Sequence, residues 1–317
     1  MPPNSIQSIP LSAVIATRNR SPLLSKTLES LLRQELLPSE LIVIDASDDN
    51  ATQSVIQEFA GRVGPLATVS HFRADIVGAA AQRNQGVRVA GQRFIWFFDD
   101  DIVFEPHCLE RLWDALQSDS QLGGVNALIA NQHYRQPGTV SRVMFTLMNG
   151  RRDKSFAGRV IGPAINLLPE DREDLPEIVP VDWLNTTCTI YRREALPNPP
   201  FPSQFTGYSL MEDLALSLEV GKKWKLANVR RARIFHDSQP ADYKADELSR
   251  SCMELRNRHF IMTQVLGKHG FIDYARLALW ELFSLASSMA SQSGLKALPY
   301  ILRGKIRAVR QIVAKRG

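Results

Sequence analysis

An apolar run that ends in three adjacent carboxylates constrains the fold of this 317-residue chain more than any other feature. The run at 94–98 (FIWFF) has the length and aromatic content of a buried strand, and Asp99, Asp100 and Asp101 follow it directly. Ligands of open α/β sheets bind beyond the carboxyl ends of the strands, so these acids are predicted to face a ligand crevice. A hard divalent cation that holds a diphosphate would relieve their mutual repulsion, and a solvated acidic turn is the alternative interpretation.

The length and the charge distribution limit the class of protein. With 44% hydrophobic residues, the chain can bury a full core in one large or two small domains. Its net charge of +5 arises in one terminal segment, because without seven cations after residue 295 it becomes −2. These cations are Lys296, Arg303, Lys305, Arg307, Arg310, Lys315 and Arg316. A local contact with phosphates or anionic lipid is therefore favoured over a nucleic-acid surface.

Cysteine usage and the N-terminal sequence both favour a cytoplasmic protein. Cys108, Cys188 and Cys252 are dispersed and odd in number, which favours a reducing compartment and offers no zinc site by spacing. Residues 1–10 contain neither the positive region nor the apolar region of a secretory signal. We therefore expect the protein in the cytoplasm, either free or attached peripherally at the inner face of the membrane.

The apolar pattern predicts strands and helices in alternation. Strands are predicted at 11–17, 41–44, 67–72 and 94–98, and helices after Ser21, around 55–59 and at 78–90. Ser21 is the expected N-cap of the first helix, with Pro22 at the first helical position. The order βαβαβαβ predicts a mostly parallel sheet with helices on both faces.

The loop after the first predicted strand lacks the glycines of common nucleotide-binding turns. Its sequence is Arg18-Asn19-Arg20-Ser21, and the chain has no Walker A sequence either. A nucleotide would therefore have to be held by side chains, carboxylates and a metal ion.

Several motifs in order resemble those of family 2 glycosyltransferases of the GT-A fold. They are residues 14–20 (VIATRNR), 42–49 (IVIDASDD), 78–86 (GAAAQRNQG), 99–101 as a DxD motif, and 191–196 (YRREAL) followed by 212–217 (EDLALS). The resemblance implies an α/β chain with a mostly parallel, Rossmann-like sheet flanked by helices. It further implies a GT-A domain at 1–266, with a nucleotide-binding half at 10–105 and an acceptor half at 106–266. A basic, amphipathic helical extension would follow at 267–317.

The resemblance assigns six residues to the nucleotide sugar: Thr17, Arg18, Asp45, Arg83, Asp99 and Asp100. Asp45 would accept hydrogen bonds from the base, bordered by Thr17 and Arg18. Asp99 would contact the ribose, and Asp100 would have a supporting role. Arg83 would lie near the diphosphate, where a guanidinium suits phosphate oxygens. The structural alternatives are a turn-capping acid for Asp45 and an exposed helical arginine for Arg83.

The resemblance also assigns the catalytic and metal-binding residues. Asp213 matches the general base that takes the acceptor proton, with Glu212 orienting the acceptor. Asp101 would bind Mg²⁺ or Mn²⁺, and His236 would complete the metal site. The alternatives are that the acids stabilise the first turn of an amphipathic helix, and that His236 is structural.

The resulting hypothesis is a metal-dependent, inverting hexosyl- or deoxyhexosyltransferase of polysaccharide biosynthesis. The donor would be a nucleotide-diphosphate sugar, with UDP as the first expectation and dTDP or GDP as alternatives. The acceptor would be a hydroxyl of a glycan, a lipid-linked glycan or a small molecule. Two other hypotheses are a non-catalytic protein that binds sugar nucleotides or glycans, and a nucleotidyltransferase, which would want a glycine-rich loop after the first strand.

The C-terminal segment is predicted to form helices that do not span a membrane. Its longest uncharged run, 282–295, is shorter than the roughly 20 residues that a spanning helix needs. An interfacial helix pair on an anionic leaflet fits the seven cations, and packing on the core or a homodimer contact is the alternative. Before this segment, Arg256-Asn257-Arg258 resembles a basic motif that follows the catalytic core in the family, and the resemblance implies a location near the donor phosphates or the membrane. The alternative is an exposed basic face of a helix.

Overall fold

The computed structural model describes residues 6–207, 209–238 and 246–314. The strands are β1 (Gln7–Thr17), β2 (Leu36–Asp45), β3 (Thr68–Arg73), β4 (Phe94–Phe98), β5 (Ile102–Phe104), β6 (Leu122–Ile129), β7 (Val160–Ile161), β8 (Ile165–Asn166), β9 (Ile178–Pro180), β10 (Cys188–Arg192) and β11 (Lys225–His236). The helices are α1 (Ser21–Leu31), α2 (Ala51–Val63), α3 (Ala79–Val89), α4 (Cys108–Ser118), α5 (Thr139–Asn149), α6 (Glu212–Val220), α7 (Glu247–Phe260), α8 (Phe271–Ser288) and α9 (Gln292–Ala314).

The chain divides into two compact units. The first comprises the described parts of Met1–Tyr134 and Leu168–Gln239, and it contains a nine-stranded sheet. The second comprises the described parts of Arg135–Leu167 and Pro240–Gly317. Residues 135–167 are therefore grouped with the C-terminal helices.

The large sheet is parallel in its first half and mixed in its second. Its strand order is β3-β2-β1-β4-β10-β6-β11-β5, with β9 paired to β11. The first four strands in this order are parallel, as the alternating pattern predicts. β10 runs antiparallel to both β4 and β6, and this register sets Cys188 beside Phe98. The reversal therefore brings a later part of the chain to the end of β4, where the acidic triplet begins.

β4 lies within the hydrophobic core of the first unit. All five of its residues are buried, and the Trp96 ring centroid is 4.5 Å from that of Phe98 and 5.3 Å from that of Phe104. α3 packs closely on β1 because Gly86 has no side chain, and a Cβ there would collide with the side chain of Val14. The apolar run that predicts a buried strand thus anchors the sheet edge from which the acids emerge.

The structure corrects the predicted start of α1 by one residue. Arg20, rather than Ser21, is the N-cap, because the Arg20 carbonyl accepts the N–H groups of Leu23 and Leu24, both at 3.0 Å. Ser21 is therefore already helical. This start leaves Arg20 as the last residue of the loop between β1 and α1.

The second unit is mainly helical, with the short hairpin of β7 and β8. Arg258 of α7 is buried, donates a 2.6 Å hydrogen bond to the Ala164 carbonyl and lies 2.8 Å from Glu254 Oε1. It therefore does not form the exposed basic face that one interpretation expected. Lys305 of α9 pairs with Glu281 of α8 in the interior. Within the described residues, no helix combines the length and the apolar character that membrane crossing requires.

Candidate active site

The carboxyl ends of β1, β2 and β4 meet at one edge of the sheet. Thr17 and Asp45 end β1 and β2 and are paired in register, and the acidic triplet follows β4 on the other side of β1. The Thr17 hydroxyl donates a 2.5 Å hydrogen bond to Asp100 Oδ2. From α3, the Gln82 amide donates to the carbonyls of Thr17 and Ile44, at 3.0 and 2.7 Å. These bonds fix the helix against the strand ends that border the site.

Arg20 compensates part of the charge of the acidic triplet. Its Nη1 lies 3.2 Å from Asp100 Oδ1 and 3.0 Å from Asp101 Oδ2. Burial raises the pKa of Asp100 to about 6, although the hydrogen bond from Thr17 and the charge of Arg20 oppose this. Arg18, which the family resemblance assigns to the nucleotide, is exposed. Arg20 is therefore a site residue that sequence reasoning missed, although it belongs to the same polar loop.

Asp101 also contacts His236 at the end of β11. β11 pairs antiparallel with β5, His236 opposite Ile102, and His236 Nε2 lies 3.1 Å from Asp101 Oδ1. One ligand atom each from Asp99, Asp101 and His236 lie within 4.8 Å of one another. Carboxylate oxygens and an imidazole nitrogen are common ligands of divalent cations, so these residues fit such an ion. The resemblance predicts Asp101 and His236 as ligands, and the geometry of the cluster adds Asp99 as a third candidate.

The imidazole of His236 is oriented from its other side. The Gln132 side-chain amide lies 3.3 Å from His236 Nδ1, and the Asn131 amide donates to the His236 carbonyl at 2.9 Å. A partner on Nδ1 fixes the ring and determines which nitrogen is free for a ligand. Gln132 and Asn131 are thus supporting residues that no sequence motif indicated.

A second group of metal-ligating side chains in the first unit has a simpler explanation. It consists of Glu35, His107 and Glu110, of which the first two are exposed. The Glu110 carboxylate accepts the backbone N–H groups of Glu35 and Leu36. It therefore serves a local structural purpose, and we assign no function to this group.

Arg83 joins the acids after β4 to the motif at the start of α6. It is buried on α3, and its Nη2 and Nη1 lie 2.7 Å from Asp99 Oδ1 and 2.9 Å from Glu212 Oε1. Burial lowers the pKa of Arg83, but the two carboxylates raise it by more, so the guanidinium stays charged. Since Arg83 is buried, the alternative of an exposed helical arginine does not hold. Acids from two motifs that are far apart in sequence thus contact the same arginine side chain.

Glu212 and Asp213 form a pair of carboxyls with raised affinity for protons. Burial raises the pKa of both, and the charge of Asp213 raises that of Glu212 further while Arg83 opposes the increase. Asp213 Oδ1 accepts a 2.7 Å hydrogen bond from the N–H of Leu214. A carboxyl whose pKa is raised toward the working pH is suited to general base catalysis.

The loop that precedes α6 is held by α3. Gly78 and Gly207 have φ angles of 146° and 61°, and a Cβ on Gly78 would lie 3.1 Å from the Gly207 backbone. The Asn84 side chain donates to the Phe201 carbonyl at 2.7 Å and accepts from the Phe201 N–H at 3.0 Å. α3 therefore carries Arg83 and also positions the segment that leads to Glu212. Sequence reasoning assigns no role to either supporting residue, although Asn84 lies in the motif at 78–86.

Asp45 lies in a separate cluster of polar groups at the ends of β2 and β3. It is buried, its Oδ1 accepts the Ser47 N–H at 2.8 Å, and its Oδ2 lies 3.1 Å from His71 Nε2 and 3.2 Å from Arg73 Nη1. Burial raises the pKa of Asp45, but Ser47, His71 and Arg73 together lower it below the ordinary value. The carboxylate thus stays ionised. A nucleotide base that bonds to Asp45 would share its oxygens with these neighbours.

Sequence comparisons identify relatives of the chain. The family model described as "Glycosyl transferase family 2" matches residues 12–196. The chain is 33% identical over 104 residues to "Uncharacterized glycosyltransferase YwdF" of Bacillus subtilis, covering 32% of this chain and 36% of that protein. It is 27% identical over 108 residues to "Poly(ribitol-phosphate) beta-N-acetylglucosaminyltransferase TarP" of Staphylococcus aureus. This match covers 33% of this chain and 32% of that protein. The chain thus matches about a third of the length of these curated relatives.

Solved structures of glycosyltransferases share the fold at low sequence identity. The mannosyltransferase PcManGT from Pyrobaculum calidifontis has a TM-score of 0.58 at 14% identity, covering 97% of this chain and 89% of that one. GalNAc-T7 has a TM-score of 0.55 at 16% identity, and the match covers 83% of this chain and 48% of that one. These likenesses confirm the predicted GT-A fold. The family model matches residues 12–196, which are more than half of the chain and include the acidic triplet. The chain therefore belongs to glycosyltransferase family 2.

Proposed function

We propose that the protein is a metal-dependent, inverting glycosyltransferase that moves a sugar from a nucleotide diphosphate to an acceptor hydroxyl. One observation carries this proposal: Arg83 bridges Asp99, from the donor-side motif, and Glu212, beside the candidate base. An acid of the donor-side motif and an acid of the acceptor-side motif therefore both contact the buried guanidinium of Arg83. This arrangement supports a site that holds a diphosphate next to an activated hydroxyl.

The nucleotide would lie along the edge formed by the ends of β1, β2 and β4. Thr17, Asp45 and Asp99 are the candidates for contacts with base and ribose, and Asp100 would support the turn through its bonds to Thr17 and Arg20. Arg18, exposed in the same loop, would border the nucleotide from outside. UDP is our first expectation, with dTDP and GDP as alternatives. The structural relatives support only the UDP and GDP members of this range, since PcManGT was solved in complex with GDP-Man and Mn²⁺ and GalNAc-T7 with UDP, GalNAc and Mn²⁺.

Asp101 and His236 would hold the divalent ion, with Asp99 as a third ligand from the cluster described above. A bound Mg²⁺ or Mn²⁺ would supply Lewis-acid stabilisation of the negative charge that develops on the leaving diphosphate. The imidazole favours Mn²⁺ of the two, because Mg²⁺ prefers an all-oxygen shell.

Proton transfer, acceptor orientation and charge stabilisation would be carried out by Arg83 and the carboxyl side chains near it. Asp213 would accept the proton of the acceptor hydroxyl as its oxygen bonds to the anomeric carbon, and the bond from that carbon to the phosphate oxygen breaks. Arg83 would stabilise the departing nucleoside diphosphate by charge, and Glu212 would orient the acceptor. Because attack and departure occur on opposite faces in a single displacement, the anomeric configuration inverts.

The acceptor is proposed as a hydroxyl on a glycan, a lipid-linked glycan or a small molecule. The names of the relatives cover part of this range, since one is a poly(ribitol-phosphate) beta-N-acetylglucosaminyltransferase and another is "Validoxylamine A glucosyltransferase" of Streptomyces hygroscopicus. We further propose a cytoplasmic location. The support for it is that Cys108, Cys188 and Cys252 are free thiols, as a reducing compartment favours.

A thermal-shift panel tests the binding half of this proposal. The chain is heated with UDP, dTDP, GDP or CDP, each with Mn²⁺, with Mg²⁺ or with EDTA. We expect one nucleotide to raise Tm by about 2 °C or more with metal and to lose most of this effect with EDTA, because ligands that bind only the folded state stabilise it. Equal shifts with and without EDTA would contradict the metal assignment.

A further inference from the structure

α9 in the second unit carries an apolar stripe on its outer side. Five exposed side chains follow at spacings of seven, four, three and four residues, which places them on one line along a helix. They are Leu295, Leu302, Ile306, Val309 and Val313, and each is between 41% and 63% exposed. A stripe of this kind is normally the buried side of a helix.

Cations follow this stripe residue by residue. Lys296, Arg303, Arg307 and Arg310 each come directly after one of the first four apolar residues, so they form a parallel row on the adjacent side of the helix. All four are exposed. From residue 282 to the C-terminus the sequence contains no acidic side chain that could neutralise them. The outer side of α9 is therefore apolar along one line and cationic along the next.

The inner side of α9 is already used by packing within the second unit. Ala308 is buried against α7, in a cluster with Cys252 and Leu255, and the Cys252 thiol lies 3.6 Å from Gln311 Oε1. Lys305 is buried in its ion pair with Glu281 of α8. Because these contacts fix the rotation of the helix, it cannot turn its outer stripe inward without losing them.

α8 adds a second outer face that is wholly apolar. Phe271 and Leu282 lie on one side of the helix, and Met289 is its C-cap residue; the three side chains are 88%, 63% and 53% exposed. The charged residues of this helix lie elsewhere, and its Glu281 is the buried partner of Lys305. Contiguous exposed apolar side chains on a protein surface mark a site that contacts a protein or a membrane.

We propose that these outer sides of α8 and α9, here called the apolar-basic surface, dock the protein on an anionic lipid bilayer. Charge complementarity favours an anionic lipid bilayer as the partner. The apolar stripe can enter the acyl region of the bilayer while the adjacent cations contact the anionic headgroups. Two such surfaces on a homodimer would bring like charges together. In this arrangement α8 and α9 lie in the interface between the bilayer and water. Neither helix meets the requirements for a membrane span. This inference does not depend on the proposed donor chemistry.

Vesicle flotation of the full chain tests the proposal. Vesicles of phosphatidylcholine alone are compared with vesicles that also contain phosphatidylglycerol. We expect binding to the anionic vesicles only, and a loss of about tenfold or more in the partition coefficient for the fourfold variant Lys296→Gln, Arg303→Gln, Arg307→Gln, Arg310→Gln. The matched control removes four exposed lysines of the first unit: Lys26→Gln, Lys222→Gln, Lys223→Gln, Lys225→Gln. It should bind as the wild type does.

A second variant tests the apolar stripe itself. Ile306→Ser with Val309→Ser changes two exposed side chains, so the thermal unfolding curve should be preserved while vesicle binding falls. Equal binding to neutral vesicles, or anionic binding that survives both variants, would overturn the proposal. So would a stable dimer in velocity sedimentation that does not float with vesicles and that Ile306→Ser with Val309→Ser converts to monomer. The last result would assign the surface to a second copy of the chain.

Discussion

Replacement of Asp213 by asparagine is expected to lower the transfer rate by about 10²–10⁴-fold while donor affinity stays within a small factor of wild type. Asparagine keeps the oxygen that accepts the Leu214 N–H and has nearly the same volume, so the start of α6 should be preserved. What it lacks is the ability to take a proton. The measurement is transfer from the cognate donor under saturating conditions, together with calorimetric donor affinity.

The pH profile separates loss of a base from a distorted site. Burial raises the pKa of Asp213 to about 6, so the wild-type rate should increase with pH as this carboxyl loses its proton. The residual rate of Asp213→Asn should lack that increase. Glu219→Gln is the matched control, because Glu219 is an exposed acid on the same helix that pairs with Lys222. Wild-type turnover in Asp213→Asn would remove Asp213 from the role of base.

Replacement of Asp101 by asparagine is expected to abolish the metal-dependent part of donor binding. Asp101 is the acid that contacts His236, at 3.1 Å, and an amide oxygen is a far weaker ligand for a divalent cation than a carboxylate. Since loss of even a supporting residue of a metal site typically costs about 10–100-fold in metal affinity, loss of a direct ligand should cost at least as much. Calorimetric titration of UDP, or of whichever nucleotide stabilises the protein, with and without Mn²⁺ measures this effect.

Asp75→Asn is the matched control for this titration. Asp75 is an exposed acid of the same unit that pairs with Arg88, and it lies outside the metal-ligating cluster. Its replacement removes one negative charge and should leave the effect of Mn²⁺ intact. An unchanged Mn²⁺-dependent affinity in Asp101→Asn would rule out the metal site proposed here.

The first half of the fold could be predicted because each of its elements carries a local signal. β4 is a short apolar run with an acidic boundary, and the alternation of elements implies parallel neighbours. The second half could not be predicted in the same way. Nothing local to residues 188–192 shows that β10 enters antiparallel between β4 and β6, since that pairing depends on long-range contacts.

The candidate site shows the same division between local and long-range information. The acidic triplet could be proposed because the carboxyl edge of a parallel sheet is a known location for ligands, and Asp45 because the motif at 42–49 resembles that of the family. Arg20 was missed because its role depends on where α1 starts and which way its side chain turns. His71 and Arg73 were missed because only the register of β2 with β3 sets them beside Asp45.

Sugar transfer itself is tested by measuring the release of nucleoside diphosphate from a panel of nucleotide sugars by the wild-type protein with Mn²⁺, with water or candidate acceptors present. We predict release from one nucleotide class, its suppression by EDTA and by Asp213→Asn, and a sugar product whose anomeric configuration, read by NMR, is inverted relative to the donor. Nucleotide binding without any metal-dependent release would contradict the proposed transferase activity and favour a non-catalytic binding protein. A product with retained configuration would contradict the single displacement.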